Sequence, residues 1–112
     1  MEIYFKRRRD QELFSSERKL VKKFGQENTE KIQQRLSELA AAESLEDMSF
    51  LKQARCHELA GRRKGQFAVD LKHPFRLVFT PFHSHIPTME DGGIDRTRVT
   101  RIIISGVEDY HG

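Results

Sequence analysis

One cysteine, no long apolar run and almost no net charge set the first limits on this chain of 112 residues. A single thiol, Cys56, cannot close an internal disulfide and fits a reducing cytosol. No apolar stretch approaches the roughly 18–20 residues that cross a bilayer, so no membrane partner is expected. The basic run Lys6-Arg7-Arg8-Arg9 follows a short apolar segment, the reverse of a secretory signal's order. The expected location is therefore cytoplasmic. Twenty Lys and Arg against 17 Asp and Glu leave only +3, too little to name a partner. Also missing are a glycine-rich phosphate loop and the nucleophile elbow of a serine hydrolase.

What is present points to one folded domain over 1–112. Eight Phe and clustered Leu, Ile and Val supply a core that a disordered chain lacks. A short strand is expected over 3–6. From Asp10 onward, Leu13, Phe14, Leu20, Val21 and Phe24 mark one stripe of a helical period, closed by Gly25. Asn28 is the expected cap of a second helix, with Ile32, Leu36, Leu39 and Ala40 on its apolar face. Two such helices joined by a short connection predict an antiparallel hairpin. Ser44-Leu45-Glu46-Asp47 resembles a capping box before one helical turn.

Beyond it the period falls to two. Strands are expected over 55–59, 67–71, 75–79 and 99–107, with a long loop over 80–97. The run Ile102-Ile103-Ile104 predicts a strand buried on both faces. The order β-α-α-β-β-β-β argues an α+β domain: a two-helix hairpin on one face of a mainly antiparallel sheet of four to five strands. The other face is where chemistry is expected.

Between residues 55 and 76 stand Arg55, Arg62, Arg63, Lys64, Lys72 and Arg76 against Glu58 and Asp70. Six cations against two anions suit phosphate oxygens, which guanidinium groups grip in pairs. A solvated arginine-rich turn explains the cluster equally well. Arg76 sits mid-strand between Phe75 and Leu77, where either a phosphate or a buried carboxylate partner would answer it. The closing Asp109, Tyr110 and His111 offer a carboxylate, a phenol and an imidazole, the last suited to proton transfer at neutral pH; a frayed tail is the competing reading. His57 is a strand histidine of either core or catalytic kind. His83 and His85 lack further ligands at matching spacing, so no metal and no cofactor are expected.

The element order, with Arg55-Cys56-His57-Glu58-Leu59-Ala60-Gly61-Arg62-Arg63-Lys64-Gly65-Gln66 and the closing Glu108-Asp109-Tyr110-His111, resembles the HigB branch of the RelE/ParE toxin superfamily. Leu45-Glu46-Asp47-Met48, His73-Pro74-Phe75-Arg76-Leu77 and Pro87-Thr88-Met89-Glu90-Asp91-Gly92-Gly93 resemble its subgroup labelled plasmid maintenance killer or killer suppression proteins. The resemblance spans nearly the whole chain. It implies a RelE-like fold and the toxin of a type II toxin–antitoxin pair. Such a toxin is a ribosome-dependent endoribonuclease that cuts mRNA without metal, held inactive by a helix-turn-helix antitoxin in a hetero-oligomer.

By the same resemblance His57, Arg76, Asp109, Tyr110 and His111 are the catalytic group, and Arg62, Arg63, Lys64 and Lys72 contact RNA. Either His57 or His111 would be the acid; His111 or Asp109 would help as base. The sequence departs from the family's turn at two places: Ala60 stands where a lysine is common, and Arg62 where an aspartate is. Those departures imply an attenuated enzyme or a different grip on RNA. Two alternatives stay open: a non-catalytic ParE-like inhibitor of a target such as DNA gyrase, and a toxin acting mainly in operator repression with its antitoxin.

Overall fold

A computed structural model describes residues 1–109. The chain opens with β1 (Glu2–Phe5) and passes through α1 (Arg8–Phe14), α2 (Glu17–Phe24) and α3 (Gln26–Ala41). The apolar stripe from Leu13 to Phe24 thus belongs to two helices rather than one. The break lies at the serines: the Ser16 hydroxyl accepts the Lys19 N–H at 3.2 Å and caps α2, as short hydroxyl side chains do at helix starts. Gly25, at φ 85°, then turns the chain between α2 and α3, and the two helices pack together. Asn28 is not a cap. It lies buried within α3, where its Oδ1 accepts the Lys72 N–H at 3.2 Å.

Ser44 makes no side-chain cap bond at the following 3-10 turn, Leu45–Phe50. Asp47 accepts the Glu43 N–H instead, at 2.9 Å. A second short turn, Lys52–Ala54, leads to β2 (His57–Glu58). This strand is shorter than the expected 55–59 because Arg55 sits at φ 45°, in the left-handed region. The turn Gly61–Arg63 joins it to β3 (Phe67–Asp70), followed by β4 (Phe75–Pro81) and β5 (Arg101–Asp109). The loop between β4 and β5 carries an antiparallel bridge of Thr88 to Ile94 and the 3-10 turn Arg96–Arg98.

The five strands form one sheet in the order β1-β5-β4-β3-β2. Only β1 and β5 run parallel; the other pairs are antiparallel. The architecture is α+β, with three α-helices among the described residues where two were expected. Alternation sorts the side chains. Phe67, Val69, Leu77, Phe79, Ile102 and Ile104 face the helices and join Leu20, Ile32 and Leu39 in the main core. Burying a side chain of this kind stabilises by roughly 1.5–3 kcal/mol relative to exposure. On the opposite face the buried apolar cluster is only Leu59, Ala68 and Val78. Because that face lacks a helical layer, Ile103 is only half-buried, and β5 is not the doubly buried strand its isoleucines suggested. Among the described residues, no helix is long and apolar enough to cross a membrane.

Candidate functional site

The helix-free face is built from two cross-strand rows. The pairing His57↔Ala68, Ala68↔Val78 and Val78↔Gly106 makes one row across β2, β3, β4 and β5. The pairing Asp70↔Arg76 and Arg76↔Glu108 makes the next. Directly opposed residues in a sheet share a face, so His57, Asp70, Arg76 and Glu108 all belong to this one. Strands β2 and β4 are separated by a single strand, about 10 Å between backbones. His57 and Arg76 therefore flank a shallow floor of small residues rather than touching.

His57 is held by its backbone neighbourhood. Its Nδ1 lies 2.8 Å from the Arg55 carbonyl oxygen. A carbonyl only accepts, so Nδ1 carries the proton, and Nε2 is the nitrogen that this contact does not engage. Arg55 is itself fixed: its Nε and Nη2 donate to the two oxygens of Asp70 at 2.8 and 3.1 Å. A carboxylate thus orients an arginine, whose carbonyl orients the imidazole. The adjoining Cys56 offers no reactive thiolate, since burial pushes its thiol up to about 11.

Across the face, the Glu108 carboxylate is clamped. Arg63 reaches it from the turn between β2 and β3, with Nη1 donating to Oε1 at 2.7 Å and Nη2 to Oε2 at 2.6 Å. The same guanidinium donates from Nε and Nη2 to Gln66 Oε1 at 3.1 and 2.7 Å. Arg76 approaches from below, its Nη2 at 3.5 Å from Oε1. Arg63 foremost, against the opposing effect of burial and with help from Arg76, holds the Glu108 carboxyl below the usual carboxylate range. Glu108 in turn raises Arg63 above its ordinary value. So the strand arginine meets a carboxylate, one that is partly exposed rather than buried, and stands on the open face.

Other expected residues are distributed differently. Arg62 and Lys64 stand exposed on the turn beside Arg63. Lys72 is turned away toward α3, where its Nζ pairs with Glu27 at 2.7 Å; it does not join the basic turn. Asp109 stands opposite Phe75, so alternation puts it on the other side of the strand from Arg76 and Glu108. Tyr110 and His111 lie outside the described residues. In the β4–β5 loop the His83 Nε2 accepts the Thr100 N–H at 3.2 Å, and burial together with nearby Arg101 holds its imidazole below the ordinary value. Among the described residues, no group of three His, Cys, Asp or Glu is placed to hold a metal ion.

Two features escaped sequence reasoning. Glu108 belongs to the site, and no sequence signal marks it: strict alternation from Ile104 would put 109 on the open face, and the bulge beside Val78 puts 108 there instead, opposite Arg76. The second is the edge of β5 beyond the end of β1. There Lys6, Arg7, Ser105, Gly106, Val107 and Glu108 line a groove of about 280 Å³. Arg7 is held there by the buried Asp10, Nε to Oδ2 at 2.9 Å. Gly106, at φ 144°, leaves room for it: a Cβ would stand 3.1 Å from Arg7 Nη2. The basic run after β1 was visible in the sequence, but its place beside β5 was not. Compared with protein-family models and with curated proteins, the chain matches none.

Proposed function

We propose that this protein is a HigB-like toxin of the RelE/ParE superfamily, with a RelE-like fold, and that it cleaves translated mRNA on its helix-free sheet face. The observation that carries this reading is the juxtaposition of an oriented histidine, His57, with Arg76 and the basic turn Arg62-Arg63-Lys64 on one open face. RNA brings its own nucleophile. The ribose 2′-hydroxyl loses its proton to a base, its oxygen bonds to the adjacent phosphorus, and the bond to the 5′-oxygen breaks as that oxygen takes a proton from an acid. The products are a 2′,3′-cyclic phosphate and a free 5′-hydroxyl.

In this scheme Arg76 neutralises the charge that develops on the non-bridging oxygens. His57 enters the reaction as the imidazolium: its Nδ1–H stays on the Arg55 carbonyl, and its Nε2–H goes to the leaving 5′-oxygen. His111 is the base and Tyr110 stacks on a nucleobase, while Asp109, on the other side of β5, takes no direct part. Arg62 and Lys64 hold the flanking backbone. A helix-turn-helix antitoxin is the partner that restrains it. Two observations favour a second reading, a non-catalytic ParE-like inhibitor: Glu108 already occupies Arg63 and Arg76, and Ala60 supplies no lysine.

The test is induction of the protein followed by mapping of mRNA 5′ ends and measurement of plasmid supercoiling. The expected result is translation-dependent cuts that disappear in His57→Ala and His111→Ala at wild-type protein levels. Intact message with relaxed DNA overturns the nuclease in favour of the inhibitor.

A further inference from the structure

Glu108 has no task in RNA cleavage so far, although Arg63 holds its carboxylate at 2.6 Å. We propose that Glu108 is a built-in competitor for RNA phosphate: its carboxylate occupies the anion seat formed by Arg63 and Arg76, and a phosphodiester must displace it to bind. The proposal rests on the RNA reading of the open face and names how that site is restrained.

The geometry argues for a seat rather than an incidental pair. Arg63 meets both carboxylate oxygens with two parallel N–H bonds at 2.7 and 2.6 Å, the fork that guanidinium offers equally to carboxylate and to phosphate. Arg76 stands on the neighbouring strand directly opposite Glu108, and its side chain is only 16% exposed. Its side chain is therefore less free to move than those of Arg63 and Glu108. Arg63 and Glu108 are more mobile in principle, being 37% and 34% exposed, so the carboxylate has an outward path. Gln66 holds the Nε side of Arg63 and keeps the fork aimed at the face after the carboxylate leaves. A general-base role fits poorly. Both Glu108 oxygens accept charged donors, which stabilise the carboxylate and weaken it as a proton acceptor.

The consequence is selectivity. With its anion in place, the charge of the two-arginine seat falls from +2 to +1, so stray polyanions gain less there. An RNA strand that also meets Arg62, Lys64 and the Lys6–Arg7 groove displaces the carboxylate.

The test compares wild type, Glu108→Gln and, as a control that removes the same charge from the helical layer, Glu30→Gln. Each is titrated with a fluorescent 2′-O-methyl oligoribonucleotide, which cannot be cleaved, and with inorganic phosphate followed on the Arg63 and Arg76 Nε–H resonances. Thermal midpoints verify folding. The expected result is that Glu108→Gln binds the oligoribonucleotide about tenfold more tightly at low salt, with a steeper salt dependence by about one phosphate contact, while Glu30→Gln stays near wild type. Unchanged or weaker binding of both probes by folded Glu108→Gln overturns the proposal. Tighter phosphate binding by Glu108→Gln, with no oligoribonucleotide bound by any variant, supports the competitor and overturns the RNA reading instead.

Discussion

Arg35→Met is expected to destabilise the protein by about 3 kcal/mol, the net of two opposing effects. Arg35 is 2% exposed on α3. Its Nε donates to the Asp70 carbonyl at 2.7 Å, its Nη2 to the Gln53 carbonyl at 3.0 Å and its Nη1 to Glu38 at 3.0 Å. Methionine keeps most of the apolar stem and removes every donor. Each bond from a charged group to a carbonyl contributes roughly 1.5–3 kcal/mol, so losing two costs about 3–6 kcal/mol. Relief from burying a guanidinium returns part of that. Glu38 retains access to water and adds little. Equilibrium urea unfolding at neutral pH reads the difference directly. The loss reaches the candidate site as well, because Arg35 ties α3 to both Asp70, which anchors Arg55, and the turn that leads into β2. A loss below about 1 kcal/mol would mean instead that both carbonyls find other donors at no cost. An equal loss from Glu38→Gln, which changes only the partner whose side chain keeps 21% exposure, would also count against the carbonyl bonds as its source.

Gly106→Ala is expected to cost about 1–3 kcal/mol, because a side chain at φ 144° is strained and its Cβ crowds Arg7. Urea unfolding should show the loss persisting in a Gly106→Ala, Arg7→Ala double variant, where the steric part is gone and the backbone strain is not. The Arg63–Glu108 pair should make stability depend on acid. Glu108's folded pKa lies below its unfolded value, so its contribution is complete above the ordinary carboxylate range and is lost as pH falls through the depressed folded value. The pair is about a third exposed, which limits the contribution to about 1 kcal/mol. Unfolding of wild type and Glu108→Gln should therefore differ at neutral pH and converge in acid; a difference that grows in acid would contradict the sign.

The α+β class was legible because it depends on local periodicity. Leu20, Ile32 and Leu39 recur at helical spacing, and Phe67, Val69, Leu77 and Phe79 alternate; each set ends in the same core. Element boundaries were less legible where one polar group decides. Ser16 splits a continuous apolar stripe by capping α2, and Arg55 ends a strand by adopting a left-handed conformation. The both-face burial expected of Ile102-Ile103-Ile104 failed for a topological reason: no helix covers the second face, and hydrophobicity alone cannot report that.

The site divides along the same line. Composition identified a surplus of cations between residues 55 and 76, but charge is a sum, and function depends on which anion each cation meets. Lys72 meets Glu27 and leaves the cluster, while Arg55 meets Asp70 and becomes a brace for His57. Arg63 and Arg76 converge on a glutamate far along the chain. That last pairing needs the register of β4 on β5, which a bulge beside Val78 resets. Across the bulge the register puts Gly106 opposite Val78 and Glu108 opposite Arg76. One irregularity in the last strand therefore precedes the residues that close the groove at Arg7 and complete the anion seat, and periodicity alone does not reveal where such a slip falls.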